Sequence, residues 1–229
     1  MISALLLIIC GYVMGSIPTG FWLVKTVKGI DIRSFGSGST GATNVWRAAG
    51  PVAGIFTFFF DTIKGWIPVA TAVYLDTHNF ESQWNFGCAH IVPSIVAAAA
   101  LVGHSRSIFL KFTGGKSAAT GLGTLLALSP LGGLCTFLTW MLIVKLSGYI
   151  SLASILGVGS CPFWFYAFGA PLPAIGYCIF GFIYVTYRHK ANIQRMLKGT
   201  EPKITDKKKA DSSEATKIPD TTSSTTEST

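Results

Sequence analysis

Apolar residues occur in long runs separated by short polar stretches, and the lengths of those runs support the first inference. Residues 2 to 24, 51 to 75 and 88 to 103 are largely apolar, and roughly 20 such residues at about 1.5 Å rise each span the hydrocarbon core of a bilayer. The third run is short. From Ser117 to Tyr187 the only charged residue is Lys145, and breakers divide that stretch at Pro130 with Gly132 and Gly133, at the polar turn Lys145 to Gly148, and at Pro171 with Pro173. These breaks predict four more crossings, at 118 to 129, 131 to 146, 149 to 168 and 171 to 187. The first of the four is too short to span, so it should face protein or a water-filled cavity, because lipid cannot satisfy loose backbone ends. The expected fold is an all-α integral membrane protein, a bundle of about seven transmembrane helices, with five as the alternative count.

Composition agrees: the 229 residues are 50% hydrophobic and only 12% charged, with a mean hydropathy of +0.51, too little polar surface for a soluble domain of this size. Charge then orients the bundle. Lys25, Lys28, Arg33 and Arg47 lie in one interhelical segment, Arg106, Lys111 and Lys116 in a second, and nine Lys and Arg follow Tyr187, whereas residues 76 to 87 carry Asp76 and Glu81 and no base. Cytoplasmic loops concentrate Lys and Arg. The N-terminus is therefore expected outside and the C-terminus in the cytoplasm. The net charge of +8 is this topological bias and not a nucleic-acid surface, since the bases are not interleaved with stacking aromatics. The first run lacks a basic leading region and ends in Lys25 and Lys28, which reads as a retained helix and not a cleaved signal. Residues 1–204 form the polytopic membrane domain, and 205–229, nearly devoid of apolar residues, a disordered cytoplasmic tail. The five cysteines sit singly in apolar surroundings, with no metal spacing; neither a metal nor a cofactor is expected.

Chemistry concentrates in the three basic segments. The first contains Gly36-Ser37-Gly38-Ser39-Thr40-Gly41-Ala42-Thr43-Asn44 and then Arg47. Its glycines allow close backbone approach, and Ser37, Asn44 and Arg47 offer donors to phosphate; a flexible interhelical loop is the plain alternative. The second contains His104 and Gly114-Gly115-Lys116-Ser117. This imitates the end of a Walker A motif but has Leu110 where the first glycine belongs. Glycine-turn amides, a helix N-terminus and Lys116 still make an anion site. His104 is a candidate base or an ordinary interfacial histidine. The third contains Arg188, His189, Asn192 and Arg195, and as a helical continuation Arg188, Asn192 and Arg195 would share a face; a basic flank explains the charges but not His189 and Asn192. Asp61 and Lys64, at i and i+3 inside the second run, can pair and should face protein.

Gly15-Ser16-Ile17-Pro18, GSGSTGATNVWR at 36 to 47, Asp61-Thr62-Ile63-Lys64-Gly65, GHSRSIFLKFTGGKSAATGLG at 103 to 123 and RHKANIQRMLKGTE at 188 to 201 together resemble the PlsY family of bacterial acyl-phosphate-dependent glycerol-3-phosphate acyltransferases. The resemblance covers most of residues 1 to 204. It implies a seven-helix membrane protein with a cytoplasmic-facing site in the bacterial inner membrane. The implied reaction passes a fatty acyl group from acyl phosphate to the 1-hydroxyl of glycerol 3-phosphate, giving lysophosphatidic acid and phosphate, the first acylation of phospholipid synthesis. By similarity Ser37, Arg47, Lys116, His189 and Asn192 would hold the substrates and the Gly114-Gly115 turn a phosphate. An enzyme that supplies acyl phosphate would be a partner. The chain departs from the family pattern at Ser39, Arg106, Ser107, Thr113 and Ser117. No His-x4-Asp dyad is present, which fits the family's proposed use of a substrate phosphate as base, with His104 or His189 as the competing bases. A carrier for an organic phosphate and a structural membrane protein are the rival readings from other classes.

Overall fold

The computed structural model describes residues 2–78 and 89–204. The expectation of a disordered tail and Glu81 of the acidic loop fall outside them. The described chain is helical: α1 (Ile2–Ser16), α2 (Thr19–Lys28), α3 (Ala42–Thr77), α4 (Ile91–Ser105), α5 (Ala118–Leu128), α6 (Pro130–Ser147), α7 (Ile150–Ala167), α8 (Leu172–Arg188) and α9 (Lys190–Leu197). Among the described residues, four helical stretches are long and apolar enough to cross a membrane: Ser3–Lys28 taken through its break, α3, α6 and α7. Outward faces of the bundle carry Leu5, Phe59, Leu142, Phe163 and Ile183, as a surrounding of lipid demands.

One break within an apolar run, and one at the start of another, shape the helices. The first run is not one helix: Pro18 cannot donate a backbone hydrogen bond, and the chain divides between Ser16 and Thr19. α3 stays helical through Gly65. The helix runs through Pro68 and bends instead at Gly50, whose φ of 87° is open to glycine and comes just before Pro51.

Close helix contacts are built on small residues, as they are wherever lipid supplies no hydrophobic drive between helices. Gly65 abuts the Thr120 carbonyl and Gly123 the Thr62 carbonyl, drawing α3 and α5 together; Gly15 and Gly103 do the same for α1 and α4. The 11-residue α5 is covered by α3, α4, α6 and α8, as its shortness requires. One buried core joins Val69, Val96, Leu125, Leu128, Phe165 and Ala174; a smaller one, Val24, Ile32 and Val45, supports the loop before α3. The cysteines are not all isolated. Cys161 of α7 and Cys178 of α8 meet in the interior, because antiparallel neighbours bring distant positions level.

The α2–α3 loop, the α4–α5 loop, the α6–α7 turn and the segment after α8 gather at one end of the bundle. Ser107 Oγ donates to the Ser16 carbonyl at 2.5 Å, Tyr12 Oη to the Arg106 carbonyl at 2.8 Å, and Ile204 N–H to the Gly148 carbonyl at 2.9 Å.

Candidate active site

The loop before α3 is a wound structure and not a flexible linker. Asp31 caps the short turn Ile32–Ser34 and clamps the Arg33 guanidinium, with Oδ2 2.6 Å from Nη2. Asn44 holds the rest. Its amide nitrogen donates to the Ile32, Phe35 and Ser39 carbonyls at 3.3, 3.0 and 2.9 Å, and its oxygen accepts the Ser37 N–H at 3.1 Å. With 1% of its surface exposed and its donors spent on the loop, Asn44 shapes the site and is not itself a phosphate ligand. Ser37 stays exposed at the loop tip, beside Gly38, which lines a cleft described below.

The loop between α4 and α5 is folded back by a bridge between Ser107 and Thr113, which carries Gly114 and Gly115 across the last turn of α4. The Gly115 N–H donates to the His104 carbonyl at 3.2 Å, and the Arg188 Nη2 donates to the Gly115 carbonyl at 3.0 Å. The glycines are required by closeness. A Cβ on Gly114 would strike the His104 carbonyl, and one on Gly115 would strike His104 Nε2. No side chain caps the start of α5, so its first amides remain available to an anion.

The third segment bends at His189, between α8 and α9, so Arg188 ends one helix while Asn192 and Arg195 project from the next. All three still reach the same region. Lys116 Nζ donates to Asn192 Oδ1 at 2.6 Å, and Asn192 Nδ2 donates to Glu201 Oε1 at 2.7 Å. Glu201 also accepts from Ser151 Oγ and Arg195 Nε, each at 2.7 Å. Sequence reasoning missed Glu201 as a site component. Its only signal was a single acid within a basic flank. Arg33 and Arg106, read as topological charges, join Arg188, Thr113 and Gly114 around a cleft of about 230 Å³.

Positive charge is in excess here. Arg47 lies within electrostatic reach of Glu201 and Arg195; Lys116 feels Glu201, Arg195, Arg47 and Arg188. Burial lowers the Lys116 ammonium to about 8; Glu201 opposes that shift and the three arginines add to it. His189 is buried, and burial, Lys116 and Arg188 lower it to about 4 against the opposing effects of the Val185 carbonyl and Glu201. It is therefore neutral near pH 7. Its Nδ1 stands 2.8 Å from the Val185 carbonyl, so Nδ1 carries the proton and Nε2 keeps a lone pair. His104 is 6% exposed beneath Gly115, away from the open cleft. Glu201 is drawn below the usual carboxylate range: burial would raise it, but the hydrogen bonds from Asn192, Ser151 and Arg195 prevail. Such a site can seat and neutralise phosphate groups; it presents no exposed nucleophile and base pair.

Residues 5–199 match the Glycerol-3-phosphate acyltransferase family. The chain belongs to that family. Its relatives include the glycerol-3-phosphate acyltransferases of Trichormus variabilis, 44% identical over 205 residues that cover 86% of this chain and 90% of the relative, and of Thermosynechococcus vestitus, 41% identical over 202 residues covering 87% and 94%. Its fold is similar to that of PlsY, an integral membrane glycerol 3-phosphate acyltransferase. Against the glycerol 3-phosphate form the TM-score is 0.80 at 39% identity, covering 88% of this chain and 96% of the other. Against the lysophosphatidic acid form it is 0.77 at 38% identity, covering 88% and 95%. This glycerol-3-phosphate acyltransferase family member is thus an integral, multi-pass membrane protein, and the family span takes in Arg47, Lys116 and Asn192.

Proposed function

We propose that this chain is an acyltransferase that moves a fatty acyl group from acyl phosphate to the 1-hydroxyl of glycerol 3-phosphate, releasing lysophosphatidic acid and inorganic phosphate. The observation that supports this most strongly is the gathering of Arg47 and Arg188, from two distant segments, within electrostatic reach of Lys116, which follows the Gly114-Gly115 turn that Arg188 bonds. Two substrates that each bear a phosphate need such an excess of positive charge. Ser37, Arg47, Lys116, Arg188, His189 and Asn192 hold the phosphorylated substrates, with the turn's amides as further donors.

An acyl phosphate brings its own leaving group, so alignment and charge stabilisation account for most of the catalysis. The hydroxyl oxygen forms a bond to the acyl carbonyl carbon, the bond from that carbon to the phosphate oxygen breaks, and phosphate departs with the electron pair. A substrate phosphate oxygen takes the hydroxyl proton. Neutral His189, with Nδ1 donated to Val185, can accept a hydrogen bond at Nε2 and so orient a hydroxyl or a protonated phosphate oxygen. Lys64, Asp61 and His104 lie behind the turn and take no part in the proton transfer.

The α1–α2 unit and α3 to α8 supply seven crossings, counting the half-length α5, with the N-terminus outside and the site facing the cytoplasm of a bacterial inner membrane. The placement of Arg33, Arg47, Lys116 and Arg188 at one end supports that orientation. An enzyme that makes acyl phosphate acts as the upstream partner. Purified protein given palmitoyl phosphate and glycerol 3-phosphate should release phosphate and lysophosphatidic acid, and palmitoyl-CoA should yield neither. Product from palmitoyl-CoA would reassign the donor, and absence of product from both would overturn the proposal.

A further inference from the structure

Beneath the phosphate turn lies a second polar cluster that the acyl-transfer chemistry does not use. Lys64 Nζ donates to Asp61 Oδ1 at 2.6 Å and to the Ile17 carbonyl at 2.7 Å. That carbonyl sits at the α1–α2 break, where Pro18 interrupts the helix. Asp61 Oδ1 is also 3.8 Å from His104 Nδ1. Neither Asp61 Oδ2 nor His104 Nδ1 has a hydrogen-bond partner, and both are buried. Two buried groups left unsatisfied side by side are costly unless they serve each other. The separation of 3.8 Å closes to hydrogen-bond length with a small side-chain rotation.

On its other side His104 meets the turn twice. Its carbonyl accepts the Gly115 N–H, and its Nε2 packs so close to Gly115 that a Cβ there would strike it. The next residue, Lys116, points to Asn192. A chain of neighbours therefore runs from the Ile17 carbonyl through Lys64, Asp61 and His104 to Gly115 and the Lys116 ammonium beside Asn192. His104 is 6% exposed and is not among the residues lining the cleft, so it stands back from a substrate seated there.

We propose that His104 is a positioning residue: held by Asp61 through Nδ1, its ring supports the Gly114-Gly115 turn from below and sets where the turn's amides and Lys116 Nζ meet the phosphate of glycerol 3-phosphate. The assignment rests on the acyltransferase reading of that turn, and it separates His104 from any role as the base. A carboxylate–imidazole pair fixes the ring's tautomer and tilt. A turn free to move by about 1 Å loses phosphate affinity first.

The test compares wild type, His104→Ala and His104→Gln, purified in detergent, by kinetics with palmitoyl phosphate and glycerol 3-phosphate and by the shift in unfolding midpoint with inorganic phosphate. His104→Ala should raise KM for glycerol 3-phosphate roughly tenfold while turnover stays within about threefold, and should abolish most of the phosphate-induced shift. His104→Gln, which keeps an amide near the Nε2 position, should recover most of both. If turnover instead falls by roughly two orders of magnitude or more at unchanged KM, His104 is the base and the proposal is overturned. A lower unfolding midpoint with KM and the phosphate shift unchanged would reduce it to scaffold and overturn it too. If His104→Ala does not fold, His104→Gln against Gly115→Ala decides, since the added Cβ displaces the same ring and should reproduce the KM defect. Wild type that turns over nothing but is stabilised by phosphate would fail the acyltransferase reading alone, leaving the phosphate shift to judge His104. Wild type with no phosphate shift would overturn the His104 assignment.

Discussion

Two ionic clusters among the described residues are built on opposite principles. Asp61 and Lys64, 1% and 6% exposed, cancel each other inside α3, and the Ile17 carbonyl takes another of the ammonium's protons. Lipid offers no counter-ion, so a charge there must bring its own. At the end of the bundle Arg47, Lys116 and Arg195 share Glu201, with Arg188 also within reach of Lys116, which leaves positive charge uncompensated. That surplus is tolerable only because water reaches the cleft and a phosphorylated substrate completes the balance. One cluster is closed and neutral within the bundle; the other is open and, in the proposed function, receives a ligand. The difference is testable by removing one charge from each.

In the open cluster, removal should harm function and spare the fold. Lys116→Ala deletes a half-buried ammonium aimed at the anion, and losing such a contact costs about 3 to 4 kcal/mol, on the order of 100-fold to 1000-fold in kcat/KM for glycerol 3-phosphate. The unfolding midpoint should change little, because Asn192 retains Glu201 as partner. Unchanged kinetics would mean that the surplus charge is only topological.

In the closed cluster the larger effect should fall on stability. Asp61→Asn leaves the Lys64 ammonium buried without a counter-charge and should cost about 3 kcal/mol of stability, read as a lower unfolding midpoint in detergent. Adding Lys64→Met removes the orphaned charge and should restore much of the loss. If the double variant is no more stable than Asp61→Asn, the pair is not the self-contained unit described here.

The same contrast explains what could be read from the chain. Apolar run lengths follow from bilayer thickness, so the helical bundle and the short, covered α5 were legible, and intramembrane ions must pair, so Asp61 and Lys64 were too. Hydropathy does not register backbone breaks: Ile17-Pro18 lies within an apolar run and gives no polar signal, and Gly50 stands at the start of another inside a helix that continues from Ala42. Phosphate chemistry was visible in Arg47, Lys116 and the paired glycines because few other uses need those types together. The loop-holding part of Asn44 was not legible because an amide serves a loop carbonyl as readily as a ligand, and the choice depends on which carbonyls the fold presents. Glu201 escaped notice because its three donors, Ser151, Asn192 and Arg195, are assembled only by the return of the chain to the α6–α7 turn.

The mildest probe is pH, because it titrates the open cluster without changing a residue. Burial and the neighbouring arginines lower Lys116 to about 8, so the free site carries the ammonium at pH 7 and loses it as pH rises. The charged form is the one that attracts phosphate. Accordingly kcat/KM for glycerol 3-phosphate should hold below about 8 and fall about tenfold by pH 9. The stability of the unliganded protein should move oppositely. Between about 8 and the ordinary lysine value of 10.5 the unfolded chain keeps a proton that the folded one has released, and folding loses ground as pH falls through that window and gains it as pH climbs. Lys116→Arg holds its charge throughout this range and should flatten the alkaline limb even if the guanidinium fits the Asn192 contact poorly and lowers the plateau. An alkaline limb that persists unchanged in Lys116→Arg would place the titrating group elsewhere and remove Lys116 from the open cluster's binding charge.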